Sequence, residues 1–349
     1  MIVMNIHYIR HCLIILTFLV SHAAHSKEAT IVALLWSQNI EGQVAMRKGL
    51  EEVHKVASEK DTVNKTKLII NIAGDGKDGI RNQIQQFKAA LDLKPNLIII
   101  QPTDNASLSS SLKLANKRNI PVIAFDQYIS GGKLLSYVTS DNRQAGTLNA
   151  EYIHSLFPQE KKLNIVLLEY SRVSSTIERV DGFLDSLKDL QRNFEIKARY
   201  EAVEPIGGKK AAELFLKDFP TRASIDVVFS VNDGGGLSFV ETLRKAGRNE
   251  IIHGTVDGDP ASVENIKNKR ITKVDAAQFC AEIGRQTMHL ALEYLKGNKV
   301  PKKVLIPTFP ITTDTLRLYD GWLGQMPKPF IKPWSKENEK WTSELQKYY

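Results

Sequence analysis

The sequence predicts an α/β protein of two domains, each a parallel sheet with helices against both faces. Three observations carry this reading. Short uninterrupted apolar runs recur, as strands buried on both faces require. Stretches with apolar residues at helical spacing separate them. The whole series occurs twice in a chain of 349 residues, a length that suits roughly two compact domains. With 42% apolar and 25% charged residues there is material for two cores, which sets disorder aside.

The first series opens with IVALLW (31 to 36), followed by Met46, Leu50, Val53 and Ala57 on one helical face. LIINIA (68 to 73) precedes Ile80, Ile84, Phe87 and Leu91; LIII (97 to 100) precedes Leu108, Leu112 and Ala115; PVIAF (121 to 125) is a fourth strand. LLSYVTSDN (134 to 142), extended and then polar, reads as a crossover. The second series runs through NIVLLE (164 to 169), FEIKARY (194 to 200), DVVFSV (226 to 231) and IIHGTV (251 to 256), each followed by helix-like sequence. Residues 327 to 349 are rich in Pro, Lys and aromatics and have no strand pattern. They are read as a tail that either wraps a lobe or stays loose, a bound helix after Pro333 being one form of the first.

The N-terminus has the form of an export leader: Arg10 and His11, the apolar run CLIILTFLV (12 to 20), then small residues at Ala23, Ala24 and Ser26. The run is too short to span a membrane, and no later segment is apolar enough. Cleavage near Lys27 would leave a mature protein in the periplasm. No Cys follows the run, so lipidation is not expected. The leader removes Cys12 and leaves Cys280 alone, read as a buried hydrophobe with no disulfide partner. The net charge of +8 comes from lysines and arginines interleaved with acids, a solvated basic surface and no nucleic-acid block.

Ligands of open parallel sheets bind beyond the carboxyl ends of the strands. The first strand delivers Trp36, Ser37, Gln38 and Asn39; the third Gln101, Pro102, Thr103 and Asp104; the fourth Asp126 and Gln127; the second series adds Asn232 and Asp233, then Asp257. Carboxylates and amides hydrogen-bond pairs of hydroxyls, and an indole covers the apolar face of a sugar ring. A polyol fits that set. Thr103, Asp104, Asn105 and 140 to 142 are also good helix caps. Catalytic signals are absent: GDGKDG (74 to 79) lacks the Gly-Lys-Ser/Thr ending of a phosphate loop, Gly234 to Gly236 open a helix, and His54, His154, His253 and His289 are scattered. No enzyme, cofactor or metal is expected.

At this point the chain resembles the periplasmic sugar-binding proteins of the ribose-binding type, a type I periplasmic binding protein fold and ABC transporter solute-binding family. The resemblance rests on IIIQPTD (98 to 104), NIPVIAFDQ (119 to 127), VTSDNRQAG (138 to 146), ERVDGF (178 to 183), VVFSVND (227 to 233), TVDGDP (255 to 260) and AAQFCAEIG (276 to 284). It implies two lobes joined by three hinge crossings: 27–139 with 279–305 as one, 140–278 with 306–325 as the other, and 326–349 as C-terminal tail. It also implies ligand contacts at Gln101, Asp126, Asn232, Asp257 and Gln278, with Gln127 and Trp36 beside them.

Departures from that family bear on the ligand. Gln127 stands where the family has an arginine, and so does Ile177; Arg179 belongs to the Glu-Arg pair and is not counted as a contact. Gly42 and Gln43 replace paired aromatics, leaving Trp36 as the stacking candidate. Ribose is therefore not inferred. The expected function is capture of a sugar, polyol or similar small polar ligand by a monomer that delivers it to an ABC transporter permease. The alternative is a sensory receptor for a furanosyl-type signal coupled to a membrane kinase, its tail docking on the partner.

Overall fold

The computed structural model describes residues 28–60 and 65–349; the expected leader, 1–26, lies outside the described residues. The chain begins with β1 (Ala29–Leu35), α1 (Glu41–Lys60), β2 (Thr66–Ile72), α2 (Gly76–Asp92), β3 (Leu97–Ile100), α3 (Ser109–Lys117), β4 (Val122–Phe125) and β5 (Ser136–Ser140). It crosses over and continues with α4 (Asn142–Ser155), β6 (Leu163–Glu169), α5 (Ser174–Asp189), β7 (Phe194–Glu201), α6 (Pro205–Asp218), β8 (Val227–Ser230), α7 (Asp233–Lys245), β9 (Ile252–Asp257), α8 (Pro260–Lys267) and β10 (Thr272–Ala277). A second crossing leads to α9 (Cys280–Leu295) and β11 (Lys303–Ile306), and a third to β12 (Phe309–Ile311). β13 (Phe330–Ile331), β14 (Lys340–Trp341) and β15 (Gln346–Tyr348) follow.

Two large sheets result, ordered β15-β11-β5-β4-β3-β1-β2 and β12-β10-β9-β8-β6-β7, beside a small antiparallel pair, β13-β14. Apart from β15 and β12, which pair antiparallel at one edge of each large sheet, all neighbours in these two sheets are parallel. β3, β4, β5 and β8 are buried at every position because helices cover both faces, which is why β3 can read LIII without a polar residue. β7 lies at an edge and alternates instead, FEIKARYE, with its charged side chains in water.

In each lobe a helix pair closes over the sheet through glycines. Gly49 of α1 and Gly284 of α9 sit against the Ala281 and Met46 carbonyls, and Gly146 of α4 and Gly182 of α5 against those of Arg179 and Arg143. A Cβ at any of the four would overlap backbone, so only glycine permits that approach. The parallel β–α–β connections put the strand carboxyl ends, with β1, β3 and β4 from one lobe and β8 and β9 from the other, at the boundary where the lobes face each other.

The tail is bound, and it forms strands where neither a strand pattern nor the helix considered after Pro333 accounts for it. β15 pairs with β11, and Lys302 N also donates to Tyr348 O (2.6 Å). Trp341 is buried, its ring stacked on Phe330 and edge-on to Phe309, and its Nε1 donates to Thr308 O at 2.6 Å. On the other lobe, Lys332 Nζ bonds Glu151 of α4 at 2.6 Å and Trp334 meets Tyr152 edge to face. The tail thus holds both lobes. Trp341→Ala, which removes a buried indole and a hydrogen bond, should destabilise the protein by about 3–5 kcal/mol. Urea unfolding monitored by circular dichroism measures this.

Candidate functional site

A cleft of about 700 Å3 lies between the lobes. Of the residues expected at a ligand, Trp36, Asp126, Gln127, Asn232, Asp257 and Gln278 line it. Gln101 is buried behind them: its Nε2 donates to Asp126 Oδ2 (3.0 Å) and its Oε1 accepts from Trp36 N (3.3 Å). The polar end of β3 therefore orients Asp126. Asn232 presents an edge only, because its Oδ1 accepts from Gly235 N (3.2 Å) at the N-terminus of α7 and its Nδ2 donates to Val203 O (2.9 Å).

Two of the cleft carboxylates, Asp126 and Asp257, come from opposite lobes and share an unusual backbone. Asp126 has φ 63° and Asp257 φ 130°, a region that side-chain-bearing residues avoid and that is kept where surrounding structure enforces it. Asp126 is fixed by its own N–H to Val138 O (2.9 Å) and by its carbonyl, which accepts from Tyr137 Oη (3.1 Å) and Thr139 Oγ1 (2.9 Å). The Asp257 carbonyl accepts from Trp322 Nε1 (2.7 Å) and Gln278 N (3.0 Å). Both turns aim a carboxylate at the cleft.

Sequence reasoning left out three residues. Arg179 enters the site: Nη1 bonds Asp257 Oδ1 (3.1 Å) and Val231 O (2.7 Å), and Nε bonds Asn142 Oδ1 (3.0 Å). Trp322 lines the cleft, its ring 3.9 Å from where a Cβ on Gly42 would stand. Tyr170 is the third. Gln127, in the place of an arginine, bridges the lobes: Nε2 donates to Ser175 Oγ (2.8 Å) and Oε1 accepts from Ser175 N (3.2 Å). Beside it, the Asn105 amide is oriented to donate to Tyr128 O and accept from Ser174 N, both 3.0 Å. These amide and hydroxyl contacts join the two lobes beside the cleft.

Burial raises the carboxyl groups here. Asp126 is shifted up by desolvation, opposed by the Gln101 hydrogen bond and Arg179. Asp257 rises to about 6 for the same reason, against the pull of Arg179 and Gln278. Behind Asp257, Asp233 accepts from Thr255 Oγ1 (2.9 Å) and Asp259 N (2.8 Å), while Asp275 Oδ2 is buried without a donor. Desolvation, then the neighbouring Asp275, holds Asp233 well above the ordinary range, and burial takes Asp275 to about 7. A proton kept by Asp233 gives Asp275 its missing donor. Cys280 is a buried free thiol, raised well above its usual value by desolvation. His253, held by Ser230 and Thr272, is lowered to about 3 by burial and is a neutral core residue. No metal-ligating cluster occurs among the described residues.

Two sheet lobes, three crossings and a polar cleft at the strand ends define a bilobal solute-binding protein. The chain belongs to the periplasmic binding protein domain family, which matches residues 31–299. It is 28% identical over 208 residues to the ribose import binding protein RbsB of Escherichia coli, covering 59% of this chain and 68% of that one. Its fold is that of a Bacillus halodurans ABC transporter solute binding protein with bound myo-inositol (TM-score 0.75, 20% identity, 86% of this chain and 99% of that chain). A Caulobacter myo-inositol binding protein is also similar (TM-score 0.72, 22% identity, 87% and 99%). This is a family of solute-binding proteins, not of enzymes.

Asp257 and Asp275 have folded pKa values above the unfolded carboxylate value of about 4. The folded state then binds more protons between about pH 4 and 7, so this contribution is fully present below pH 4 and is lost as pH rises through 6 to 7. The ligand-free Tm should fall from pH 5 to pH 8. Asp275→Asn, which keeps the shape and supplies a donor, should raise Tm at pH 8 by several degrees and flatten the profile; differential scanning fluorimetry across pH reads both.

Proposed function

We propose that the protein captures a sugar, polyol or similar small polar ligand between its lobes and delivers it, as a monomer exported to the periplasm, to an ABC transporter permease. The observation that carries this reading is the pair Asp126 and Asp257, aimed from opposite lobes into one cleft that Trp36 and Trp322 also line. A ligand touching both carboxylates stabilises the closed arrangement by its greater affinity for it. Gln101 and Gln278 hold those carboxylates in place, and Gln127, Asn232 and Arg179 supply further polar edges. The tail favours transport over sensing, since the segment thought free to dock on a kinase is packed along the protein's own two lobes.

Thermal shift of the chain from Lys27 onward, against ribose, allose, tagatose, allitol, myo-inositol and other sugars and polyols, tests the proposal, because a ligand of the folded state raises Tm. At least one should give a dose-dependent rise; silence across the panel would count against it. With that ligand, Asp257→Asn should weaken binding by roughly tenfold or more and abolish ligand-dependent compaction in small-angle scattering, while the free variant stays folded.

A further inference from the structure

The charge in the cleft is one-sided, on a protein whose formal net charge is +8. Eight carboxylates line it against two guanidiniums, with no lysine or histidine. Some of that excess is spent locally: Glu241 pairs with Arg244 and Lys245, Glu264 with Lys267, and Asp257 with Arg179. Glu41, Asp126, Glu204 and Asp259 have no ion-pair partner among the described residues, and Asp233 is set apart because it keeps its proton. Arg179 has Nε and Nη1 committed to Asn142, Val231 and Asp257, which leaves Nη2 as its edge toward a ligand. Arg270 bonds Asn265 at the rim.

Asp126 is the informative member. It is 5% exposed, faces the cleft, and receives one side-chain hydrogen bond, at 3.0 Å from the neutral amide of Gln101. Taking a carboxylate out of water is costly unless a cation or several donors meet it, and here no protein cation is in ion-pair contact, Arg179 acting on Asp126 only from farther off. A second feature points the same way. Trp36, Tyr170 and Trp322 line the cleft, yet the cation–π contacts the protein makes for itself lie elsewhere, on Phe157, Phe215, Tyr137 and Tyr349. Aromatic faces beside uncompensated carboxylates make a good seat for an ammonium group.

We propose that the ligand is an amino-substituted sugar or polyol, whose ammonium is held by Asp126 beside the aromatic residues and whose hydroxyls donate to Asp257 across the cleft. This rests on the solute-capture reading above and narrows it. A carboxylate-bearing ligand is disfavoured by the same charge excess, and a bare polyamine has no hydroxyl to offer Asp257, whose bonds from Arg179 and Gln278 both fall on Oδ1.

The test is calorimetry on the full mature chain at pH 7 with matched sets: glucose, glucosamine and N-acetylglucosamine; galactose, galactosamine and N-acetylgalactosamine; myo-inositol and its amino-deoxy counterpart; and putrescine. At least one amino compound should bind about tenfold or more tighter than both its neutral parent and its N-acetyl form, where one exists, with an advantage that shrinks as salt is added. Asp126→Asn should bring the amino compound to within about threefold of its parent; the N-acetyl comparison, made on the unaltered protein, stands even where that variant folds poorly. A neutral parent that binds as well as its amino form overturns this inference and leaves solute capture standing, and so does putrescine binding tighter than every amino sugar. Silence from every compound, neutral and charged, overturns both.

Discussion

Arg179 and Asp257 meet at 3.1 Å in the second lobe, and the bonds around them reach two of the three crossings. Asp257 also accepts from Gln278 Nε2 (2.7 Å), which lies on the crossing from β10 to α9, and Gln278 Oε1 accepts from Ser140 Oγ (2.9 Å) at the end of β5. Arg179 reaches Asn142, whose amide returns to Thr139 Oγ1 and Ser140 O, and Thr139 in turn holds the carbonyl of Asp126. Asp126 and Asp257 are therefore joined through the backbone about which the lobes turn. A buried pair of this kind contributes little net stability, and its significance here is positional. Whatever occupies the Asp257 carboxylate acts directly on the hinge.

The same constraint accounts for the left-handed backbone at both aspartates. In ordinary extended geometry the side chain would stand roughly perpendicular to the sheet, toward a helix layer. The turn at Asp126 and Asp257 costs backbone strain, and the carbonyls it exposes are taken up by Tyr137, Thr139 and Trp322. Burial of the carboxyl groups is a further cost, and it is visible as their raised affinity for protons. The lobes supply stability enough to hold these features because each has its own cores, with Phe87 and Phe125 in one and Phe183 and Phe229 in the other.

Much of this was legible in the sequence. Fully apolar strands such as LIII and VIAF declare a sheet covered on both faces, and Asp126 and Asp257 end such runs directly, so both were placed at the cleft by local pattern alone. Gln101 was read correctly as a strand end, but its part as an orienting residue depends on Trp36 and Asp126 lying on either side, which no spacing conveys. Arg179 is not legible because it sits on a helix, one turn in, and only the folded chain brings it to Val231 and Asp257 at the ends of β8 and β9. Trp322 follows the third crossing by more than ten residues, and its place beside Gly42 is set by the path of the chain through space. The tail strands are two or three residues long and exist through backbone pairing, so they leave no side-chain period to find.

The tail gives the joint a fourth tether. After β12 the chain has already passed three times between lobes, and it then runs from α4, at Lys332 and Trp334, back to the edge of the other sheet at β15. Along the way it touches two crossings themselves, through Trp341 on Thr308 and Gln346 on Asp141. Three adjacent segments allow bending and also some twisting of one lobe on the other. A strap bonded to both bodies and to the pivots between them resists twisting far more than bending, so the motion left to the lobes is narrowed toward a single axis, like a door hung on a longer pin.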